Sequence, residues 1–340
     1  MSNNKPTIID VFAGVGGISL GAVQAGFDLR LAVELDKHAI AAHQLNFPEV
    51  KHLQEDVSML SGDKLLTSAG LSKGELDGLI GGPPCQGFST MGHQNVADPR
   101  NDLFVKFFKL ISECEPIFFV VENVPGILNQ RYKDVRKKAF NYVKRKYTML
   151  EPMKLKASDY GAPTTRERVF FIGYRNDRSR NLSVCDFESK KKQAVTVEVA
   201  LQGLPTKIDS TWLTEEESWR SVEKLPLTDD NSYIQNIPNG VGNSEAICKY
   251  VEHNLVSGCF GTRHSPKVSA RYERLKQGEK DQVSKAVRLK LDGLCPTLRA
   301  GTGPERGSYQ AVRPIHPTSP RVITPREGAR LQGFPDWFQF

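Results

Sequence analysis

Nowhere in the 340 residues does an apolar run approach the length of a membrane-spanning helix. The amino terminus, Met1-Ser2-Asn3-Asn4-Lys5-Pro6, lacks the apolar core of a secretory signal. Both absences lead to the expectation of a soluble, cytoplasmic chain with no membrane partner. Cysteine is sparse: Cys85, Cys114, Cys185, Cys248, Cys259 and Cys295 include no C-x-x-C pair, and none of the seven histidines stands in an H-E-x-x-H pattern. Reduced thiols are expected, and these patterns support no metal site. Internal repeats and long low-complexity tracts are also missing, so nothing suggests a repeat architecture. One further absence is local. The glycine-rich turn after Thr7-Ile8-Ile9-Asp10-Val11-Phe12 has Ser19 where the dinucleotide fingerprint G-x-G-x-x-G needs its third glycine. That weighs against a nicotinamide enzyme.

What is present suffices for a sizeable core: 39% of residues are hydrophobic, and the length suggests two domains. A net charge of +7 favours a polyanionic partner without establishing one. The β-branched run Thr7 to Phe12, the turn and a helix-like stretch from Ile18 to Ala25 together open a nucleotide-cofactor fold. Glu34 ends the next apolar run about 20 residues beyond Gly14, where Rossmann-like folds place an acid on ribose hydroxyls, although a solvated strand-end carboxylate explains it equally well.

The chain is organised around Gly81-Gly82-Pro83-Pro84-Cys85-Gln86-Gly87-Phe88-Ser89. The apolar run Leu76 to Ile80 precedes it and reads as a buried strand, so Cys85 falls where strand gives way to loop. Glycines let backbone pass close to a ligand, and prolines stiffen the turn. Such a setting suits a nucleophile. Ile117 to Val121 is a second continuous apolar run, of the kind found in central parallel strands, and it delivers Glu122-Asn123-Val124 to the same sheet edge. Glu122 is thus a candidate general acid. The basic stretch from Arg131 to Lys146 reads as a solvated helix face.

Pro83-Pro84-Cys85-Gln86, Asp10-Val11-Phe12-Ala13-Gly14-Val15-Gly16-Gly17, Glu122-Asn123-Val124, and Arg326-Glu327 ahead of Arg330-Leu331-Gln332-Gly333-Phe334-Pro335 stand in one order along the chain. This ordered set resembles the DNA (cytosine-5) methyltransferase family, in particular its prokaryotic restriction-modification members. The resemblance implies an α/β fold, a Rossmann-like methyltransferase sheet over residues 1–175. It further implies a smaller, mostly irregular and β target-recognition domain over residues 176–340. It also implies double-stranded DNA as substrate, a nucleoid-associated location, and by analogy alone a companion restriction endonuclease.

The implied cofactor is S-adenosylmethionine, released as S-adenosylhomocysteine. The resemblance places it against Asp10, Phe12, Gly14, Gly16, Gly17, Glu34, Leu35, Asp56, Val57 and Pro84, with Phe12 near adenine and Glu34 on ribose. Cys85 is the implied nucleophile on C6 of a flipped cytosine, with Glu122 at N3. In Gly161-Ala162-Pro163-Thr164-Thr165-Arg166-Glu167-Arg168, Arg166 and Arg168 carry over as catalytic-pocket residues, while Thr164 stands where the family has glutamine. Alternation along an extended segment would point both arginines to one side. Gln86, Ser89, Arg100, Thr297, Leu298 and Arg299 are the implied DNA contacts, and the polar stretch Ser89 to Arg100 is an implied lid. The resemblance implies a closing helix past the Arg-Glu motif that the sequence does not show, which suggests a shortened chain, a second polypeptide or impaired cofactor binding. A partner-dependent catalytic subunit, a transfer-RNA methyltransferase, an inactive DNA-binding subunit and a dinucleotide oxidoreductase remain alternatives.

Overall fold

The computed structural model describes residues 5–84, 101–177, 182–209, 211–213, 219–298 and 313–340. They divide into two compact units. The first comprises Met1–Leu155, Glu167–Ser189 and Pro238–Val241; the second comprises Lys156–Arg166, Lys190–Ile237 and Gly242–Phe340.

The first unit is built on a mixed sheet. β1 (Thr7–Val11), β2 (Asp28–Val33), β3 (Lys51–Leu53), β4 (Gly78–Gly81) and β5 (Phe118–Asn123) run parallel in the order β3-β2-β1-β4-β5. Strands covered on both faces need near-continuous apolar sequence, which is what Ile8, Ile9 and Val11 of β1 and Leu79 and Ile80 of β4 supply. β6 (Tyr147–Met149) and β7 (Met153–Lys156) both pair with β8 (Glu167–Arg175), which runs antiparallel to β5. This partner extends β5 beyond the apolar run read from sequence, because Glu122 and Asn123 pair with Phe170 and Val169. The helices are α1 (Gly17–Gln24), α2 (Lys37–Asn46), α3 (Gly62–Ala69), α4 (Asn101–Cys114), α5 (Lys133–Phe140) and α6 (Val184–Glu188). Phe104, Phe108 and Ile111 of α4 recur at helical spacing and are fully buried, with Phe104 and Phe108 ring centroids 5.1 Å apart.

Strand order decides where a ligand can bind. From β1 the chain winds outward through β2 and β3, then returns to the other side of β1 at β4. That reversal leaves a crevice at the carboxyl ends of β1 and β4, the topological switch point of a doubly wound sheet.

The second unit contains α7 (Val197–Leu201), β9 (Arg220–Ser221), α8 (Ser232–Gln235), α9 (Ser244–His253), β10 (Leu255–Val256), α10 (Pro266–Glu273) and α11 (Pro325–Leu331), with β9 and β10 antiparallel. Its core gathers Val197, Leu201, Val256, Leu289, Ile323 and Leu331. Two buried arginines of α11 are held by several hydrogen bonds each. Arg326 donates to the carbonyls of Ser257, Pro335 and Phe338, and Arg330 forks onto Asp336 at 2.7 and 2.6 Å. These contacts account for the Arg-Glu motif as a packing element of this unit.

α11 starts on a capping box. The Thr324 hydroxyl accepts from the Glu327 amide, and the Glu327 carboxylate accepts from the Thr324 amide. Thr324→Ala leaves a buried amide unpaired and is expected to cost about 1 kcal/mol. A lower urea midpoint with unchanged slope would show it.

Candidate active site

At the crevice a cavity of 580 Å³ is lined by Phe12, Glu34, Leu35, Asp56, Val57 and Pro84, all expected from the sequence, and also by Asp36, Lys37, Gln54, Gly82 and Leu103. Its size suits a nucleotide-sized ligand. Phe12 directly follows β1 and holds a left-handed backbone at φ 66°, uncommon for a bulky residue and costly unless its surroundings impose it. Here that turn sets an aromatic ring on the cavity wall.

Glu34 is not merely a solvated strand end. Its Oε2 accepts from the Gly14 amide at 2.9 Å, and its Oε1 accepts from the Leu35 and Asp36 amides at 2.8 and 2.9 Å. A carboxylate has about four acceptor positions, so one remains for a ligand hydroxyl. Glu34 therefore ties the glycine-rich turn to the end of β2 while still facing the cavity. Asp36 then caps α2 by accepting from His38 and Ala39, and the Asp56 carboxylate accepts from Ser58.

Asp10, Gly14, Gly16 and Gly17 do not line the cavity: Asp10 lies within β1, Gly14 and Gly16 in the turn after it, and Gly17 opens α1. Gly16 sits at φ 106°, where a Cβ would lie 2.5 Å from the Phe47 ring, so only glycine fits there. Asp10 is fully buried, and burial, opposed by a hydrogen bond from Ser19 and reinforced by Glu34, pushes its carboxyl up to about 7.

On the other side of β4, the chain leaves through Gly82, Pro83 and Pro84. Asn123, fully buried, donates from Nδ2 to the Pro83 carbonyl at 3.2 Å and accepts the Val124 amide on Oδ1. It thereby anchors the segment leading to Cys85, a role that sequence reading did not assign. A Cβ at Gly82 would approach Glu122 Oε2 to 3.1 Å, so the missing side chain leaves that carboxylate its space. Arg168 Nε meets Glu122 Oε1 at 2.7 Å, and each side chain is 18% exposed. Arg136, read from sequence as part of a solvated basic face, instead donates to the carbonyls of Ile127 and Asn129 and braces the turn that follows β5.

The boundary between the two units falls within the alternating pair. Arg168 belongs to the first unit, whereas Arg166 belongs to the second, where its carbonyl accepts from Ala157. Thr164, in place of the family glutamine, is buried in the second unit. It bridges to Cys295 through the backbone, and its hydroxyl finds no partner among the described residues. Leu298 packs partly buried against the core of that unit, and Thr297 precedes it. Cys85, Gln86, Ser89, Arg100 and Arg299, with the whole of the implied lid, lie outside the described residues.

Burial pushes the thiols of Cys114, Cys259 and Cys295 up to about 12, so none of these offers a thiolate near neutral pH. Cys248, Glu252 and His253, exposed on α9, bring ligand-type atoms within 4.8 Å of one another, a spacing that the C-x-x-C and H-E-x-x-H patterns do not detect. Among the described residues no helix is long and apolar enough to cross a membrane.

A family model described as C-5 cytosine-specific DNA methylase matches residues 6–340. The chain is 35% identical to Type II methyltransferase M.XorII of Xanthomonas oryzae pv. oryzae, covering 99% of this chain and 78% of that protein. Its identity to Type II methyltransferase M.DdeI of Desulfomicrobium norvegicum is also 35%, over 98% and 79% of the two chains. A crystal structure described as a DNA modification methyltransferase encoded within an Escherichia coli prophage superposes with a TM-score of 0.87 at 48% identity, covering 99% of this chain and 90% of that one. The Dnmt2 methyltransferase of S. pombe, at 16% identity and a TM-score of 0.52, shares the fold alone. With its doubly wound sheet, its switch-point cavity and these matches, the chain belongs to the C-5 cytosine-specific DNA methylase family, as a DNA (cytosine-5) methyltransferase of the restriction-modification type.

Proposed function

We propose that the cavity binds S-adenosylmethionine and that the chain methylates C5 of a cytosine flipped out of duplex DNA, in a sequence context read by its second unit. The observation that carries this reading is the pairing of Glu122 with Arg168 beside Gly82, on the segment that runs from the cavity to Cys85. The residues present fit the donor. Phe12, Leu35, Val57 and Pro84 offer an apolar slot for a flat ring, and Glu34 and Asp56 offer acceptors for hydroxyl and amino groups. When bound, the donor supplies an electrophilic methyl group on a sulfonium sulfur.

C5 of cytosine is a poor nucleophile, so electrons must be pushed into the ring. Cys85, as thiolate, adds to C6 and splits one hard step into easier ones. Glu122 delivers a proton or a strong hydrogen bond to N3, where negative charge develops, and Arg168 holds its carboxyl group in place. Loss of the C5 proton after methylation then expels Cys85. A stacked base is out of reach of both residues, so flipping must come first, at a cost of a few kcal/mol.

The test is transfer of labelled methyl from S-adenosylmethionine to unmodified duplex DNA by this chain alone, beside transfer RNA. Label is expected in DNA as 5-methylcytosine. Label in transfer RNA only would overturn the choice of substrate, and label in neither would overturn the claim that the chain acts by itself.

A further inference from the structure

Beneath the glycine-rich turn lies a file of four side chains that the mechanism above does not use. Ser19 of α1 donates from Oγ to Asp10 Oδ2 at 2.5 Å. His43 Nε2 of α2 lies 3.0 Å from that same Oγ, and His43 Nδ1 lies 2.8 Å from Nε2 of His52 on β3. Asp10, Ser19 and His43 are wholly buried, while His52 is half-buried and so lies at the solvent end. Among the described residues Asp10 Oδ1 has no hydrogen-bond partner, and it is the only buried carboxylate oxygen among them so placed.

Proton counting orders the file. A serine hydroxyl has one proton, so when Ser19 donates to Asp10 it can only accept from His43. His43 must then carry its proton on Nε2 and accept at Nδ1 from His52. With Asp10 protonated at Oδ2, every bond reverses: Asp10 donates to Ser19, Ser19 to His43 Nε2, and His43 Nδ1 to His52. Shifting one proton along each bond, with the last leaving His52 Nδ1 for water, converts the second arrangement into the first. The net change is one proton lost from Asp10 to solvent. Burial holds both histidines neutral through the change, His43 down to about 3.

We propose that Asp10 is the counter-charge of the cationic methyl donor, and that Ser19, His43 and His52 conduct its proton to and from solvent as donor and product exchange. The inference rests on the reading of the cavity as the donor site. An ionised buried carboxylate with one bare oxygen is unfavourable alone, and the carboxylate of Glu34 adds like charge. A sulfonium nearby reverses that balance. Asp10 stands two residues before the cavity-lining Phe12, and its neighbour across β4, Ile80, stands two residues before the cavity-lining Gly82. S-adenosylhomocysteine, a neutral thioether at the same sulfur, gives no such reward, so Asp10 takes its proton back. The site would thereby favour fresh donor over spent product.

Titration calorimetry of the full chain with each compound, at pH 6 to 8 in buffers of different ionisation enthalpy, tests this directly. S-adenosylmethionine is expected to release up to one proton near neutral pH and to bind about tenfold more tightly at pH 8 than at pH 6. The product has the same amino and carboxyl groups, so their titration cancels in the comparison, and its own release should be smaller. Asp10→Asn keeps an acceptor for Ser19 and should abolish the difference between the two compounds. Ser19→Ala removes the bond that favours ionised Asp10 and should move the midpoint to higher pH. Equal proton release by both compounds, or a difference that survives Asp10→Asn, overturns the proposal. Failure of the unaltered chain to bind donor at any pH overturns the reading of the cavity itself.

Discussion

Cys85→Ala is expected to reduce methyl transfer below detection while duplex DNA is still bound. In the proposed mechanism the whole activation of C5 depends on a bond from sulfur to C6, and alanine has no atom that can form it. Burial holds Cys114, Cys259 and Cys295 as thiols, so none of these three is a ready substitute. Removing one sulfur leaves the cavity residues Phe12, Glu34 and Asp56 untouched, so donor affinity should persist. Paired measurements of label incorporation and of DNA retention in a gel separate the two effects. Turnover at the unaltered rate would remove Cys85 from the mechanism.

Glu122→Gln is expected to lower kcat by about 10²–10⁴-fold, the range typical of a lost general acid. Glutamine fills the same space beside Gly82 and still offers an oxygen to Arg168 Nε, so β5 and β8 should keep their register. What disappears is the ability to pass a proton to the ring. The dissociation constant for S-adenosylmethionine should change little, because Glu122 does not line the cavity. A variant that loses donor affinity but keeps kcat would place Glu122 in donor binding and leave N3 without its proposed partner.

Much of the first unit was legible in local patterns. β1, β4 and β5 announce themselves as apolar runs because strands buried on both faces need apolar residues at every position. The glycine-rich turn and Glu34 were legible for a similar reason, since a turn between a strand and a helix constrains neighbouring residues. The apolar run Val169 to Gly173 likewise reads as a strand, but the run alone does not show that β8 runs antiparallel and carries β5 on through Glu122 and Asn123. No local pattern marked where the chain passes from one compact unit to the other, between Arg166 and Glu167.

By itself the sequence determined the order of motifs, the family they resemble, and which short stretches can be buried strands or tight turns. These depend on residues adjacent in the chain, whose backbone preferences and apolar patterns act locally. Only the tertiary structure decided which distant side chains meet. The Glu122–Arg168 pair depends on the register between β5 and β8, the grip of Asn123 on Pro83 on where β5 ends, and the Asp10–Ser19–His43–His52 file on how α1 and α2 pack over the sheet. Such contacts arise from burying groups far apart in sequence, each of which must then find its partner away from water, and no local pattern encodes that partner.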